Sequence, residues 1–579
     1  MKELEPFTPE QKKYLQDLVQ TLDLQAVLQE SGSQGPSETP SVYGTPYEDL
    51  CKEERLKLER HPWDLYPVLE HHASEGRMPE DGDTFLFKHQ GLFNVAPSQP
   101  GFMCRLRIPA CKLRGDQLGK LGDIAEELAG GYAHVTTRGN LQVREVPPEN
   151  ILQVLTALYD AGLTSKGSGA DSVRNITCAP TAGFDRDELV NLIPYAVALH
   201  HHILNTRDLH GIPRKFNIAF DGGGSSSVVG DTNDICFLAA KAADGSPLEK
   251  GIYCRILLGG ITGHGDFATD CGFAVLPEHT ISTAVAMLRV FVENGNRSNR
   301  KRARLKYLLE EWGVEKFCAK VQEKLDFELL PAPAGAFEPR KRVDRQGHIG
   351  VHPQSQKGLF YIGVALPVGL LQPAQMRGLA EIAMRHGNND IRLTVWQNLL
   401  IPHIPKDRVQ QAVSEIQFLG LETEASSFAA GTVACTGRFG CRYASSNTKE
   451  HAAVIVGRLQ KRFQLDTPIN IHLTGCVNSC AQHYIGDIGL LGASVGEGED
   501  AQEAYQVFVG GGSDNEPRLA RFLAGPVPAR EIAAFLEHIV AAYLEQRKRG
   551  QSFEQFTRGL DEKQLHEVFL TPAKLEVFR

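Results

Sequence analysis

The chain repeats one pattern of apolar and polar positions. Residues 105–163 align with residues 363–421 at a constant shift of 258, without gaps. In each copy an alternating apolar strand (CRLRIP; YIGVALP) precedes a helix whose apolar residues stand three and four apart. A second strand (AHVTTRGNLQV; IRLTVWQNLLI) and a second helix complete the unit. One register held over this length indicates an internal duplication of a β-α-β-α unit, which predicts an α/β fold with pseudo-two-fold symmetry.

The two copies differ in charge. The first copy carries three arginines that the second lacks: Arg105, Arg107 and Arg138 stand opposite Gly363, Ala365 and Trp396. Strand alternation places Arg105 and Arg107 on one face. That face is either solvated or part of a charged site, and periodicity leaves both interpretations open.

Composition narrows the possible functions. The net charge of −9 argues against bulk binding of nucleic acid. No apolar run is long enough to span a bilayer. The first residues, MKELEPFTPEQKKYLQDLVQ, are charged and have no apolar core, so we expect no secretory signal. These features predict a cytoplasmic protein whose twelve cysteines are reduced thiols or metal ligands.

Four of these cysteines are clustered. They are Cys435, Cys441, Cys476 and Cys480, spaced C-x5-C and C-x3-C. Thiolates grouped in this way are typical of a soft metal centre. A structural zinc site is the alternative, although zinc sites more often use C-x2-C or C-x4-C pairs and often a histidine. The other eight cysteines are scattered, and we expect most of them to be small buried apolar residues.

Several motifs occur in a fixed order. They are FKHQGLFNVAPSQPGFMCRLRIP (87–109), TTRGNLQ (136–142), SVRNITCAPTAG (172–183), IPRKFNIAF (212–220), ACTGRFGC and TGCVNSC. Together they resemble the sirohaem nitrite and sulfite reductase family from about residue 60 to about residue 545. The resemblance implies a [4Fe–4S] cluster coupled to sirohaem.

The resemblance also implies an architecture. It is α/β with mixed sheets, in three domains that surround a central sirohaem–cluster site. The expected division is a helical N-terminal wrap at 1–75, paired ferredoxin-like repeat halves at 76–165 and 345–425, a first sirohaem-binding α/β domain at 166–344, a second α/β domain carrying the cluster at 426–545, and a helical tail at 546–579.

Residue roles follow from the same resemblance. The four clustered cysteines would bind the cluster, and Cys480 would also bridge it to the sirohaem iron. The expected substrate-facing residues are Arg105, Arg174, Lys215 and Asn217, and the expected cofactor-binding residues are Arg138, Asn140, Gln142, Arg304, Asn478 and Cys480. Cations suit this site because nitrite, sulfite and the sirohaem carboxylates are anionic, and because reduction consumes protons.

A basic run, NRSNRKRARLKYL (296–308), has two interpretations. It is either a clamp for the haem carboxylates, or a solvated helix face that could also dock a partner, since runs of charge usually face water.

The motifs favour nitrite over sulfite. Asn217 stands where sulfite reductases usually carry Lys, and the CTG element at Cys435 and the NSC element at Cys480 resemble the nitrite type. One fewer cation suits monoanionic nitrite. The resemblance therefore implies an assimilatory nitrite reductase that forms ammonium. The alternatives are a sulfite reductase on the same scaffold and, more remotely, a non-catalytic cluster-binding protein.

The electron donor is expected to be a separate protein. The chain has no G-x-G-x-x-G fingerprint after a strand, so a bound nicotinamide or flavin dinucleotide is not predicted. The expected donor is reduced ferredoxin or a flavodoxin-like protein, docking at Arg438, Arg442 and Lys449. We expect the enzyme to be a monomer that binds neither nucleic acid nor membranes.

Overall fold

The computed structural model describes residues 41–570 except 425, 497 and 515, and it leaves the side chains of residues 427 and 499 undescribed. The predicted N-terminal wrap lies outside these residues up to position 40, and the predicted tail does so from position 571. Ser41–Val42 (β1) and Thr45–Pro46 (β2) form an antiparallel hairpin. This hairpin belongs to a unit that ends at Leu50, and a second unit begins at Cys51.

The second unit opens with helices and the first repeat. The helices are α1 (Lys52–Glu59), α2 (Tyr66–Ser74), α3 (Asp81–Leu86), α4 (Gly115–Leu128) and α5 (Ile151–Asp160), and the strands are β3 (Leu92–Asn94), β4 (Phe102–Arg105), β5 (Lys112–Arg114), β6 (Ala133–Val135) and β7 (Leu141–Val146).

A six-stranded mixed sheet follows, with helices packed on it. Its strands are β8 (Val173–Cys178), β9 (Phe216–Asp221), β10 (Ile235–Lys241), β11 (Ile252–Leu258), β12 (Thr269–Val275) and β13 (Leu330–Pro331), and its helices are α6 (Ile193–Asn205), α7 (Thr280–Asn294), α8 (Leu305–Trp312) and α9 (Val314–Gln322). β8, β9 and β10 run parallel, whereas β10 to β13 are antiparallel.

The second repeat comes next in the chain. Its strands are β14 (Gly350–Pro353), β15 (Leu359–Val364), β16 (Leu370–Leu371), β17 (Asp390–Leu393) and β18 (Leu399–Pro405), and its helices are α10 (Pro373–His386) and α11 (Val409–Phe418). At the shift of 258, α10 and α11 begin and end at the positions equivalent to α4 and α5.

A five-stranded mixed sheet closes the chain. Its strands are β19 (Thr432–Ala434), β20 (Ile471–Thr474), β21 (Ile488–Val495), β22 (Gln502–Val509) and β23 (Arg521–Pro528), and its helices are α12 (Ser427–Gly431), α13 (Thr448–Arg462), α14 (Ala529–Gln546), α15 (Phe553–Arg558) and α16 (Glu562–Phe569). β19 to β23 repeat the order and directions of β8 to β12, so both α/β sheets have one topology.

The stretch predicted as the second strand of each repeat is a hairpin, so that prediction was wrong. β6 and β7 are joined by a turn at 136–140, in which the Asn140 carbonyl accepts from the Thr136 N–H at 2.8 Å. Gly139 has a φ of +50°, which glycine adopts at low cost. The second repeat has the equivalent turn at 394–398, closed by Thr394 and Asn398 at 2.9 Å. Arg138 therefore lies on a turn and not on a strand.

The two repeats exchange a strand. β5 of the first repeat pairs with β17 of the second, and β16 of the second pairs with β6 of the first. Helices α4 and α10 pack against each other, and their apolar faces share one hydrophobic core with the strands of both repeats. This paired unit holds the two turns in place beside the α/β sheets.

Candidate functional site

The four clustered cysteines lie on two loops that follow neighbouring parallel strands. Cys435 follows β19 and Cys476 follows β20, and the Cys435 N–H donates to Leu473 O at 3.0 Å. Since the carboxyl ends of parallel strands meet at one edge of a sheet, the two loops come together there. Cys441 and Cys480 lie further along the same loops.

The thiols lie close to one another. Burial and, to a smaller extent, the neighbouring Cys480 raise the pKa of Cys435 to about 11. Burial and Cys480 also raise the pKa of Cys441 and Cys476. Bound iron would reverse this, because a metal ion deprotonates the thiols that coordinate it. The Gly475 N–H donates to Cys435 Sγ at 3.2 Å, a contact of the kind that tunes iron–sulfur centres.

No three His, Cys, Asp or Glu side chains are arranged to hold a single metal ion in the part of the chain that the structure describes. A [4Fe–4S] cluster, by contrast, takes its four thiolates at four separate irons.

Three cations, Arg105, Arg138 and Lys215, lie near Cys480, and a fourth, Arg174, lies beside Arg105. Arg105 ends β4, Arg138 lies on the turn after β6, Arg174 lies in β8, and Lys215 precedes β9. We call these four residues the cation wall. Burial lowers the pKa of Arg105 and Arg138 to about 10, although Cys480 opposes this effect at Arg105, and Asp234 and Cys480 oppose it at Arg138. The contact between Thr137 Oγ1 and Cys480 O, at 2.8 Å, ties the turn to the second cysteine loop.

The cation wall is short of counter-charges. Among the described residues, no carboxylate forms an ion pair with Arg105, Arg174 or Lys215. Burial and neighbouring cations hold the pKa of Arg174 and of Lys215 well below their usual values. Arg174 donates to two backbone carbonyls, while its Nε has no partner. Half-buried cations without counter-ions fit an anionic ligand such as a carboxylate-rich haem or nitrite.

These contacts decide between the two interpretations of Arg105 and Arg107. Arg105 stacks on the Phe93 ring at 4.4 Å from its centroid. Arg107 is fully buried and donates to the carbonyls of Val173 and Gly167. The solvated-face interpretation is therefore wrong for Arg107, whereas Arg105 is half-buried.

The predicted cofactor contacts Asn140 and Gln142 are both buried. The Asn140 amide donates to Leu106 O and accepts from the Leu141 N–H at 2.8 Å, so it holds the turn. Gln142 lies in β7 opposite Arg105. Asn478 and Cys480 are exposed on the second cysteine loop. No contact with a cofactor is shown for these residues, and their cofactor roles stay predictions.

Three of the six cations in the basic run at 296–308 pair with buried carboxylates. Arg297 pairs with Glu54 at 2.6 Å and Arg300 with Asp171 at 2.6 Å. Arg304 is 6 % exposed and pairs with Asp234 at 2.7 Å. The interpretation as a solvated face is therefore wrong for Arg297 and Arg304, although Lys301 and Arg302 are exposed.

The prediction that Lys449 docks a partner was also wrong. Its ammonium donates to Val368 O in the second repeat. Burial lowers its pKa to about 7. The Lys449 side chain therefore points away from the docking patch. Arg438 and Arg442, the other two residues predicted for that patch, are exposed.

Comparison with known proteins decides the family. The chain matches the family described as "Nitrite and sulphite reductase 4Fe-4S domain" at 169–329 and 428–556, a range that contains all four clustered cysteines. It matches "Nitrite/Sulfite reductase ferredoxin-like half domain" at 96–161 and 352–419. The chain belongs to the nitrite and sulfite reductase family.

Relatives of the reductase agree with this assignment. It is 36 % identical to the ferredoxin–nitrite reductase of Synechococcus elongatus, over 80 % of this chain and 91 % of the relative. It is 30 % identical to the assimilatory ferredoxin-dependent nitrite reductase of Haloferax mediterranei, over 88 % of this chain and 91 % of that protein. The solved structure of the Mycobacterium tuberculosis NirA protein superposes with a TM-score of 0.82 at 27 % identity, over 89 % of this chain and 97 % of the other.

Sequence reasoning missed several residues that build the reductase site. Asn175 joins β8 to the first repeat, because its amide donates to Arg138 O at 3.0 Å and accepts from the Ile108 N–H at 2.8 Å. Asn175 lies in the SVRNITC motif, so the resemblance to the family could have indicated its importance. Lys88 is half-buried, and burial lowers its pKa beside Arg442, Arg300 and Arg174. No periodicity marks Lys88 as different from a surface lysine.

Proposed function

We propose that this reductase is an assimilatory nitrite reductase that takes nitrite to ammonium with electrons from reduced ferredoxin. The balanced reaction joins one nitrite, six electrons and eight protons to give one ammonium ion and two waters. The observation that carries the proposal is a group of half-buried cations without carboxylate partners, which lies beside the cysteine loops and next to the neutral Asn217. The relatives that are ferredoxin-dependent nitrite reductases support it.

The residues fit the two cofactors of the family. Cys435, Cys441, Cys476 and Cys480 would hold the [4Fe–4S] cluster, and Cys480 lies on the side of the cation wall. Arg138 would hold sirohaem carboxylates, with Gln142 and Asn478 as further contacts. Sirohaem and the cluster, when bound, supply the one-electron chemistry that these side chains cannot perform.

The side chains of the chain bind, orient and protonate. Arg105, Arg174 and Lys215 would hold the nitrite anion, because each is desolvated and lacks a counter-ion. Lys215 can pass protons to substrate oxygens and recover them from ordered water. Asn217 adds a neutral amide where a fourth cation would favour the dianion sulfite.

We place the donor surface on the first cysteine loop. Arg438 and Arg442 are exposed there, and Phe439 and Tyr443 present exposed aromatic side chains on the same loop. Val477 is exposed on the second cysteine loop. An acidic ferredoxin would be drawn by the arginines and held by the apolar contacts. A flavodoxin-like donor is the alternative for the same surface.

We also propose a domain organisation, a cellular compartment and an oligomeric state. We assign paired half-domains to 76–165 and 345–425, a first α/β domain to 166–344 and a second to 426–545, in keeping with the family matches. The flanking segments 1–75 and 546–579 are assigned to the wrap and the tail. None of the described cysteines forms a disulfide, in keeping with the proposed cytoplasmic compartment. No helix in the described chain is long and apolar enough to cross a membrane. We propose a monomer.

Turnover of nitrite and of sulfite tests the function directly. The cofactor-loaded enzyme is assayed with reduced ferredoxin and, separately, with a reduced viologen dye. We expect a much higher kcat/KM for nitrite, with ammonium as the product. A preference for sulfite would keep the family and its cofactors but overturn the specificity argued from Asn217. Turnover of neither anion would favour the non-catalytic alternative.

A further inference from the structure

Three parallel strands begin side by side at the cation wall. β8 brings Arg174, β9 follows Lys215 and contains Asn217, and β10 begins directly after Asp234. Asp234 is 1 % exposed. It places a buried carboxylate immediately behind the predicted substrate-facing residues.

The Asp234 carboxylate serves two partners at once. Its Oδ2 accepts from the backbone N–H of Asn217 at 2.8 Å. Its Oδ1 accepts from Arg304 Nε at 3.1 Å, and both oxygens accept from the second guanidinium nitrogen of Arg304 at 2.8 and 2.7 Å. One side chain therefore anchors the start of β9 and neutralises a buried arginine. Such charge-assisted, multiply bonded pairs are rigid as well as strong.

Arg304 would otherwise belong to the cation wall. Burial lowers the pKa of Lys215, and Arg304 is the charged neighbour that contributes most to this. The Asp234 carboxylate also acts to raise the pKa of Arg138, which burial lowers. Because Asp234 neutralises Arg304, the anion would be bound by the unpaired cations Arg105, Arg174 and Lys215 instead.

The second α/β sheet contains half of this arrangement. The Asn470 N–H donates to Asp487 Oδ2 at 2.8 Å, and the Ile471–Ile488 pairing repeats the register of Ile218 and Ile235. Thr467 and Pro468 stand where the first sheet has Arg214 and Lys215. Arg345 approaches Asp487 only to 3.8 Å. The backbone anchor is thus common to both sheets, whereas the tight bond to arginine occurs at Asp234.

We infer that Asp234 is a positioning residue for nitrite reduction, acting through Asn217 and Arg304. It fixes the strand that carries Asn217 and keeps the Arg304 charge away from the substrate. Nitrite is then held by Arg105, Arg174 and Lys215 in the orientation that is reduced. This inference rests on the proposed function and assigns a task to a residue outside the predicted site.

The matched pair Asp234→Asn and Asp487→Asn tests the inference in the cofactor-loaded enzyme. Both substitutions keep the shape and an acceptor for the backbone N–H, but only the first releases a tightly bound arginine. For Asp234→Asn we expect kcat to fall by about tenfold or more while the nitrite Kd, titrated optically on the resting enzyme, does not weaken. The freed Arg304 adds positive charge, which holds the anion in an unproductive place. For Asp487→Asn we expect kcat and Kd to change by less than about twofold.

Two outcomes would overturn the role of Asp234. One is equal behaviour of the two variants; the other is a parallel loss of nitrite affinity and kcat, which general damage to the site would cause. Failure of the wild-type enzyme to reduce nitrite would instead overturn the proposed function.

Rescue separates positioning from folding. Asp234→Glu keeps the charge and should retain more turnover than Asp234→Asn. Adding Arg304→Gln to Asp234→Asn removes the unpaired cation, so the nitrite Kd should return toward the wild-type value. If the two substitutions act additively, the coupling between Asp234 and Arg304 is absent and the inference fails. If Asp234→Asn does not load its cofactors, the Asp234→Glu variant decides: turnover no better than that of Arg304→Gln alone would contradict the inference.

Discussion

The guanidinium of Arg144 donates to the backbone carbonyl of Gly440 at 2.6 Å, directly beside Cys441. Arg144 is buried in β7 and is also held by Gln99 Oε1 at 2.8 Å. The first repeat therefore fixes the loop between two of the predicted cluster ligands, through a residue more than a hundred positions away in the chain.

Arg144→Lys should weaken retention of the cluster. A lysine presents a point charge in place of a planar fork and cannot reach both partners in the same way. We expect iron and sulfide per chain to fall and the visible absorbance of the cluster to be lost faster on dilution or mild heating. Arg114→Lys, at an exposed arginine, is the control and should load normally. Normal iron content and stability in Arg144→Lys would show that the contact does not support the loop.

Lys215→Met should remove turnover without removing the cofactors. Lys215 is half-buried, lacks a carboxylate partner and directly precedes β9, so its replacement takes away a charge and a proton donor but little packing. We expect kcat/KM for nitrite to fall by about a hundredfold or more, the range usual for a lost proton donor, with unchanged absorbance of the resting enzyme. Lys301→Met, at an exposed lysine, serves as the control. Retained turnover in Lys215→Met would remove Lys215 from the substrate site.

Asp171→Asn should destabilise the enzyme in a pH-dependent way. Asp171 is fully buried; it binds Arg300 at 2.6 and 2.8 Å and lies 3.5 Å from Lys57. Burial acts to raise its pKa, but Lys57 and Arg300 outweigh burial and bring it to about 2. Its stabilisation is therefore fully present above the ordinary value near 4 and is lost as the pH falls toward 2. Removing one member of such a group costs about 3 to 5 kcal/mol.

The measurement is the thermal midpoint of wild type and variant at pH 7 and near pH 3. We expect the thermal midpoint of the variant to lie far below that of wild type at pH 7, and the difference between the two midpoints to be smaller near pH 3. Asp244→Asn, at an exposed ion pair with Lys250, should show almost no gap at either pH. A gap for Asp171→Asn that does not depend on pH would mean that the lost charge is not its cause.

Asp231→Asn should stabilise the enzyme at alkaline pH, whereas Asp171→Asn should destabilise it. Burial and the neighbouring Asp514 raise the pKa of Asp231, and its Oδ1 has no hydrogen-bond partner. A carboxyl group whose pKa is raised on folding costs stability increasingly as the pH rises above its ordinary value near 4. We expect the thermal midpoint of the variant to exceed that of wild type at pH 8 and to match it near pH 4. A lower midpoint at pH 8 would contradict the assignment.

Charge reversal at the donor surface should act only on the protein donor. Arg438→Glu with Arg442→Glu changes two exposed residues on the first cysteine loop. We expect the ferredoxin-dependent rate to fall several-fold and to lose its sensitivity to salt, while the rate with viologen stays unchanged. Lys563→Glu, exposed on α16, is the control. An unchanged ferredoxin rate would move the docking surface elsewhere.

Local sequence patterns predicted the helices of the two repeats, whose residues are close together in the chain. The constant shift of 258 between the repeats reappears in the bounds of α4 and α10. The hairpins were missed because the turn at 136–140 is short and the apolar stretches on either side of it were read as one strand, although Gly139 and Asn140 are residues that favour turns. The pairs Asp234–Arg304 and Arg144–Gly440 join distant segments, and no periodic pattern records such contacts.

The exchange of strands β5 and β16 affects how fragments of the chain behave and how the duplication could have arisen. Each repeat lends an edge strand to the sheet of the other, so neither sheet is complete on its own. A fragment that ends before residue 350 would leave β6 with a bare edge, which invites aggregation. By the same reasoning, a single-copy ancestor would have needed a second copy of itself to supply the missing strand. The fusion of two copies into one gene would have freed one of them to lose its arginines.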